Sequence, residues 1–345
     1  MPGYPRISGK RESLARAMAW SGVSSILAQL PPRDSLLVLA WHRIGNAGEE
    51  LFDPGVFSAT ADQLDEQISS LKRRLSVVTL EEALAFIGGA IKEKKPRCRA
   101  LLTFDDGYLD NYQTAFPILR SHGVQGVFFL ATSMVGSSQL PWWDRIAWLV
   151  RTARKRQFVL SYPANLNVDI NKNGLSANIS AVLNLYKTPE NLDPTRFIRE
   201  LVEEAEASDP PKTARRFLNW DEAREMSKAG MAFGSHTHSH QVLNRLEPHR
   251  QFEELSQSQS ILKEQLGTSH DVLAYPVGSR ISFSEETKRI AGELGYSAAF
   301  SHYRGINLPG VTDAFDVKRN KVFSQTLARF DAQSAMCRVT GNFWP

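Results

Sequence analysis

The sequence has few cysteines, no long apolar run and no large excess of charge of either sign. Cys98 and Cys337 are the only cysteines among 345 residues, which excludes a disulfide framework and a cysteine-rich metal site. No segment approaches the roughly 20 consecutive apolar residues that a transmembrane helix needs. The 41 basic and 37 acidic residues give a formal net charge of +4, which is too small and too scattered to indicate nucleic acid as a partner.

The N-terminal segment, residues 1–33, also lacks a continuous apolar stretch. Because Arg16 and Gly22 interrupt its apolar positions, it does not resemble a signal peptide, and we expect a cytoplasmic location. Near-helical spacing predicts an amphipathic extension, with apolar positions at Leu14, Met18, Val23, Ile26, Leu27 and Leu30. Such a helix either packs on the main domain or lies on a membrane surface. The second case predicts peripheral association with the inner face of the membrane or with a biosynthetic complex.

Short apolar runs alternate with helical patterns through most of the chain. The predicted strands are Ser35 to Ala40, Arg99 to Phe104, Gly126 to Ala131, Met231 to Gly234, Val272 to Tyr275 and Ser297 to Phe300. This alternation predicts an α/β domain over residues 34–330, built on a parallel sheet or barrel. From about 150 to 218 the alternation lapses, which predicts a helical insertion, and residues 331–345 are expected to form a C-terminal tail.

Polar clusters follow several of these predicted strands. They are His42, Asp105 with Asp106, the segment from His236 to His240, and the segment from Pro276 to Gly278. In parallel barrels, catalytic residues gather at the C-terminal ends of the strands. We therefore expect these clusters to share one site.

Two adjacent carboxylates, Asp105 and Asp106, lie within the sequence Thr-Phe-Asp-Asp-Gly-Tyr at Thr103 to Tyr108. Neighbouring carboxylates repel each other, so a site that keeps both usually binds a cation or shares a proton. The alternative interpretation is a solvent-exposed Asp-Asp-Gly turn.

Three of the eight histidines lie close together, at His236, His238 and His240. His236 and His240 are four positions apart, so one helical turn presents both imidazoles on the same side, as a divalent metal requires, and His238 then points elsewhere. Together with Asp106 they predict a site of two histidines and one carboxylate, with coordination positions open for water and substrate. These ligand types favour Zn²⁺, with Co²⁺, Mn²⁺, Ni²⁺ and Fe²⁺ as alternatives.

At these residues the sequence resembles the polysaccharide deacetylases of the NodB-homology type, carbohydrate esterase family 4. The resemblance covers roughly Leu36 to Val322 and is carried by Thr103 to Tyr108, by Ser-His-Thr-His-Ser-His at Ser235 to His240, and by Ala-Tyr-Pro-Val-Gly-Ser at Ala274 to Ser279. It implies a distorted (β/α) barrel of about seven strands. The implied function is hydrolysis of N-acetyl groups on amino sugars of a surface polysaccharide or its lipid-linked precursor.

The resemblance also implies roles for individual residues. Asp105 is the expected general base, and Asp106, His236 and His240 are the expected metal ligands. The metal lowers the pKa of bound water and polarises the acetamide carbonyl, while Asp105 removes the proton. The backbone N–H of Val277 is expected to stabilise the oxyanion together with the metal.

Two residues of the common family pattern are missing. No C-terminal Leu-x-His motif supplies an acid, since the only histidine after the third motif is His302. His42, in Trp41-His42-Arg43-Ile44, resembles the acid of the subgroup with a circularly permuted barrel, the poly-N-acetylglucosamine deacetylases; the alternative is a structural histidine at the barrel mouth. The third motif has no Arg to hold Asp105. Arg319 resembles the arginine of that subgroup and is the candidate, although it could equally be a surface residue.

Aromatic residues and the departures from the pattern leave further questions open. Trp143 lines the glycan groove or anchors the core, and the pocket near Tyr275 and Trp143 is expected to decide which acyl group is accepted. The alternatives to N-deacetylation are a deformylase or O-acetyl esterase acting on a glycan, and a catalytically silent glycan-binding protein.

Overall fold

A computed structural model describes residues 34–90, 96–188, 191–211, 214–267, 270–323 and 326–340. The predicted amphipathic extension over residues 1–33 lies outside the described residues. No helix in the described part of the chain is long and apolar enough to cross a membrane.

The strands fall into one large parallel sheet and two small ones. In chain order they are β1 (Ser35–Trp41), β2 (Arg43–Ile44), β3 (Phe57–Ala59), β4 (Ser76–Val77), β5 (Cys98–Asp106), β6 (Val127–Leu130), β7 (Gln157–Leu160), β8 (Leu166–Asp169), β9 (Ala232–Ser235), β10 (Val272–Ala274), β11 (Ala298–Phe300) and β12 (Arg319–Lys321). The large sheet has the order β11-β10-β9-β6-β5-β1-β12, and β4 pairs with β5. A parallel bridge between Phe300 and Val317 brings its two edges together, so the sheet is a nearly closed barrel. The predicted barrel of about seven strands is confirmed.

The strands are apolar on both faces because each face is covered. All seven residues of β1 are buried. Leu36 and Val38 join one cluster with Phe129 and Phe300, which fills the barrel interior. The alternate residues of β1 join a second cluster that includes Leu64 and lies under the surrounding helices. The two-residue period of the strand thus separates the two layers of the core.

Helices lie between most of the consecutive strands of the large sheet. In chain order the helices are α1 (Ala61–Arg74), α2 (Leu80–Ile87), α3 (Phe116–His122), α4 (Trp142–Arg151), α5 (Ile170–Asn173), α6 (Leu175–Lys187), α7 (Pro194–Ala205), α8 (Trp220–Lys228), α9 (Pro248–Leu266), α10 (Glu285–Glu293) and α11 (Leu327–Thr340). A capping box starts α1, where Thr60 Oγ1 accepts from the Gln63 N–H and the Gln63 side chain accepts from the Thr60 N–H. A π-helical turn, Asn111–Ala115, precedes α3.

The chain divides into two compact units, and the larger one contains the barrel. Among the described residues, the smaller unit comprises Asn46–Val56 and Ser138–Arg215, with helices α4 to α7 and the antiparallel pair β7 and β8. The smaller unit therefore begins before the insertion expected at about 150–218, since it also contains α4.

The C-terminal residues do not form a separate tail. Helix α11 starts before residue 331, and its described part packs on α1, where the Asp331 carboxylate accepts hydrogen bonds from Ser70 and Arg74. Phe330 and Ala335 are buried. The boundary expected at residue 331 therefore falls inside α11, where the consecutive residues 332–335 are buried and cover more than one side of the helix.

Candidate metal centre and catalytic site

Parallel strands bring the polar clusters to one rim of the barrel. Asp106 is the last residue of β5, and His236 and His42 directly follow β9 and β1. Because β1, β5, β6 and β9 run parallel, their C-terminal ends lie on the same side. His42, Asp106 and His236 are far apart in the sequence, yet they meet at the rim where parallel barrels carry their catalytic residues.

Asp106, His236 and His240 form a buried triad. Their ligand atoms lie within 4.8 Å of one another. Oδ1 of Asp106 lies 3.4 Å from Nε2 of His236 and 3.3 Å from Nε2 of His240. This oxygen is buried and has no hydrogen-bond partner of good geometry among the described residues. A buried, unsatisfied carboxylate oxygen facing two imidazole nitrogens is the donor set of an open divalent-metal site, so these residues fit a metal.

Hydrogen bonding and charge prepare this triad for a cation. Nδ1 of His236 lies 2.7 Å from the carbonyl oxygen of Ala274, so it donates there and leaves the lone pair of Nε2 for a ligand. Burial lowers the pKa of His240, which favours its neutral form. Burial raises the pKa of Asp106, but His236 and His240 outweigh burial and hold it well below its usual value. The carboxylate is therefore ionised, as a ligand must be.

Backbone strain is concentrated at the same rim. Asp106, Thr237, His240 and Val277 have φ values of 71°, 64°, 56° and 64°, which non-glycine residues rarely adopt. At one of these turns, Thr237 Oγ1 accepts a 3.0 Å hydrogen bond from the His240 N–H. Each such residue costs of order 1–3 kcal/mol and persists only where its surroundings enforce it. The strain lies in all three sequence motifs.

Arg319 holds Asp105. Nη1 of Arg319 donates to Oδ1 of Asp105 over 2.6 Å, and Nε donates to the Ser301 carbonyl over 2.9 Å. Arg319 is fully buried, so it is not a surface residue. Burial raises the pKa of Asp105, but the positive charge of Arg319, aided by His236 and His42, outweighs burial and lowers it below its usual value. Asp105 is therefore an ionised proton acceptor.

His42 lies beside the other oxygen of Asp105, with Nε2 3.9 Å from Oδ2. Its backbone is fixed on both sides: the His42 N–H donates to Ser58 Oγ over 3.0 Å, and Asn111 Nδ2 donates to the His42 carbonyl over 2.7 Å. Burial lowers the pKa of His42 to about 4, although Asp106 and Asp105 oppose that shift.

His302 belongs to the same rim, although the sequence did not single it out. Its ring stacks on that of His42, with ring centroids 5.3 Å apart and planes 23° apart. It follows the C-terminal end of β11 by two residues. A histidine just after an apolar run is the signal that identified His42, and the same criterion applied to Ser297–Phe300 finds His302.

The remaining predicted residues have other positions. Tyr275 is fully buried, stacks on Phe283 and donates its hydroxyl to the Phe315 carbonyl, so its side chain packs in the core of this structure, and a role in the substrate pocket stays a prediction. Trp143 belongs to the smaller unit and is only 4% exposed, so it is a core anchor and not part of an open groove. Both side chains are apolar enough to lie in the core, and the sequence alone does not tell whether they are buried. His238 lies outside the triad, with Nδ1 2.9 Å from Thr132 Oγ1.

Comparison with known proteins identifies a family for this chain. Residues 92–299 match the family model described as "Polysaccharide deacetylase". The chain is 22% identical over 207 residues to YxkH of Bacillus subtilis (strain 168), which is named for the same family; the match covers 59% of this chain and 45% of that protein. It is 32% identical over 102 residues to the poly-β-1,6-N-acetyl-D-glucosamine N-deacetylase of Escherichia coli (strain K12), covering 28% of this chain and 14% of that enzyme.

Solved structures share the fold. IcaB from Ammonifex degensii superimposes with a TM-score of 0.56 at 21% identity, covering 88% of this chain and 98% of that one. The chain spans less than half the length of both curated relatives.

Proposed function

Because the chain belongs to the polysaccharide deacetylase family, we propose that it hydrolyses N-acetyl groups on amino sugars of a polysaccharide with the help of a divalent metal. The observation that carries this proposal is the buried triad of Asp106, His236 and His240 next to the ion pair of Asp105 and Arg319. The triad supplies ligands, and the ion pair supplies a proton acceptor held in place. Hydrolysis of an unactivated amide needs both.

A metal bound by the triad would lower the pKa of water and polarise the acetamide carbonyl. Asp105 accepts the proton of the attacking water, and Arg319 fixes the orientation of that carboxylate. The Val277 N–H, presented by a strained turn after Pro276, donates to the developing oxyanion. His42 is neutral before the reaction, because burial lowers its pKa to about 4. Its Nε2 lies 3.9 Å from Oδ2 of Asp105, so it takes up the proton that Asp105 removes from water and delivers it to the departing amine.

The comparisons support an N-acetylglucosamine polymer as the substrate class, since one relative is named as a poly-β-1,6-N-acetyl-D-glucosamine N-deacetylase. We propose the same class here, as polymer or as lipid-linked precursor, with Zn²⁺ as the metal on ligand type and Co²⁺, Mn²⁺, Ni²⁺ or Fe²⁺ as substitutes. A cytoplasmic site of action, with peripheral attachment to the membrane, stays a prediction. The missing Arg and His of the family pattern suggested a catalytically silent binder. The positions of Arg319 and His42 next to Asp105 support the active enzyme instead.

The decisive experiment measures acetate release by the metal-loaded protein. The panel contains β-1,6- and β-1,4-linked N-acetylglucosamine oligomers, the monosaccharide and an O-acetyl ester. We expect release from the N-acetyl oligomers and loss of at least about a hundredfold in Asp105→Asn, which keeps the shape but cannot accept the proton. Formate or ester cleavage without amide cleavage would support the alternative activities, and no release from any substrate would contradict the proposal.

Metal binding is tested separately by titration. His236→Ala should lose metal, whereas His238→Ala, which removes a neighbouring histidine outside the triad, should retain it. Equal metal content in both variants would contradict the ligand assignment.

A further inference from the structure

Three histidine and carboxylate side chains outside the metal triad lie together at the same rim. His42, Asp105 and His302 have ligand atoms within 4.8 Å of one another. Two observations argue against a second metal there. The Arg319 guanidinium already lies 2.6 Å from Asp105, and the two imidazole planes are only 23° apart, so their in-plane lone pairs run side by side and do not converge on one ion.

Among the described residues, no group makes with the ring of His42 the hydrogen bond that usually orients a catalytic histidine. Such a histidine normally donates its second ring nitrogen to a carbonyl or carboxylate, which sets both tautomer and orientation. Here Nδ1 of His42 is buried without a hydrogen-bond partner in the described part of the chain. The hydrogen bonds to Ser58 and Asn111 involve only its backbone and do not orient the ring. The stacked ring of His302 is a contact that does restrain the side-chain torsions.

His302 is itself firmly placed. Its N–H donates to the Gly278 carbonyl over 2.7 Å. Gly278 has a φ of +61°, and a Cβ at this position would lie 2.5 Å from Cβ of His302. The preceding residue, Ser301, accepts the hydrogen bond from Nε of Arg319. One short segment therefore contacts the arginine that holds the base, the loop that carries Val277, and the ring of His42.

We propose that His302 is a positioning residue that holds the His42 imidazole at Asp105 by ring stacking and fixes it relative to the Val277 loop. The proposal rests on the proposed function, in which His42 is the acid. In this proposal the His302 ring serves only as a flat surface for stacking and transfers no proton, because its Nε2 is buried without a partner in the described residues. Any flat ring of similar size should then replace it.

The test compares His302→Phe, His302→Leu and His302→Ala in the metal-loaded protein on an N-acetylglucosamine oligomer. Misplacing the acid should lower kcat of the Leu and Ala variants by about tenfold to a hundredfold, with KM within about twofold of the wild type. Phe keeps the stack and should stay within about threefold of the wild-type kcat. Leu has nearly the volume of His, so it provides the comparison if Ala destabilises the fold.

Two controls separate the possible failures. His122→Ala removes a histidine at the end of α3 that is not part of the site and whose Nε2 lies 2.8 Å from Oδ1 of Asp65. This variant should leave kcat unchanged. Metal stoichiometry should be the same in all His302 variants; a loss of one metal ion per chain would overturn the proposal in favour of a second metal site. A Leu variant with wild-type kcat, or a Phe variant as slow as Ala, would also overturn it. Inactivity of the wild type on every N-acetyl substrate would instead refute the proposed function.

Discussion

Replacing Arg319 by Met should strongly destabilise the protein, because it leaves the carboxylate of Asp105 buried without its counter-charge. The two side chains are 0% and 1% exposed, and their charged atoms lie 2.6 Å apart. A buried ion pair contributes little net stability compared with an apolar pair, whereas a single buried charge is costly. The effect should therefore depend on whether Asp105 is still charged.

The magnitude follows from the distance and the burial. At an effective dielectric constant of about 20, charges 2.6 Å apart attract each other by about 6 kcal/mol. Desolvation offsets part of this attraction, so we expect Arg319→Met to lower the free energy of unfolding by about 3–5 kcal/mol. We expect the loss in the double variant, Arg319→Met with Asp105→Asn, to be smaller than the sum of the losses in the two single variants by at least about 2 kcal/mol.

The assay is guanidinium unfolding followed by circular dichroism, with a chelator present so that metal binding does not add to the free energy of unfolding. A matched control is available in Arg99 and Asp34, whose atoms are also 2.6 Å apart but whose carboxylate is 36% exposed. Solvent screens that pair, so its coupling should be below about 1 kcal/mol. Equal coupling in the two pairs would refute the reasoning that burial makes the Asp105 pair strong.

Three further predictions concern the rim. His236→Gln should lower bound metal below the wild-type stoichiometry in elemental analysis with an unchanged circular dichroism spectrum, and full occupancy would exclude it as a ligand. Gly278→Ala places a Cβ 2.5 Å from Cβ of His302 and should reduce kcat about tenfold, so an unaltered kcat would mean that the loop yields freely. Burial lowers the pKa of His42 to about 4, so this group contributes stability above pH 6.5 that is lost as the pH falls towards 4. Without bound metal, the free energy of unfolding of His42→Gln should fall by up to about 3 kcal/mol less than that of the wild type over this pH range. The same dependence on pH in both proteins would contradict the lowered pKa.

The barrel and most of the rim could be predicted because their signals are local. Strands such as β1 and β5 are short apolar runs, and the chemical groups follow them directly, so Asp106 and His236 could be placed from sequence alone. The comparisons confirm the family, whose motifs these residues carry.

Strand β12 could not be recognised by the same reasoning. It reads Arg-Asn-Lys, yet Arg319 and Asn320 are both fully buried. Their side chains bind polar groups from distant segments: Arg319 donates to Asp105 and to the Ser301 carbonyl, and Asn320 donates to the Gly305 carbonyl. Burial of a polar strand depends on such long-range partners, which no sequence window contains.

Aromatic residues failed as markers of the substrate pocket for the opposite reason. Tyr275 and Trp143 can stack on a sugar or fill a core, and the residue type does not distinguish the two. Only their burial in the folded structure does so.

The left-handed backbone at Thr237 and Val277 has a consequence for engineering of this protein. Substitution of such residues by Gly or Asn relieves backbone strain, because Gly and Asn adopt positive φ more readily than other residues, so these changes are candidates for raising heat resistance. Here the same substitutions would loosen the two loops that present His240 and the Val277 N–H. A library selected for heat resistance alone should therefore accumulate changes at these positions that slow turnover, whereas one selected for turnover should leave them untouched.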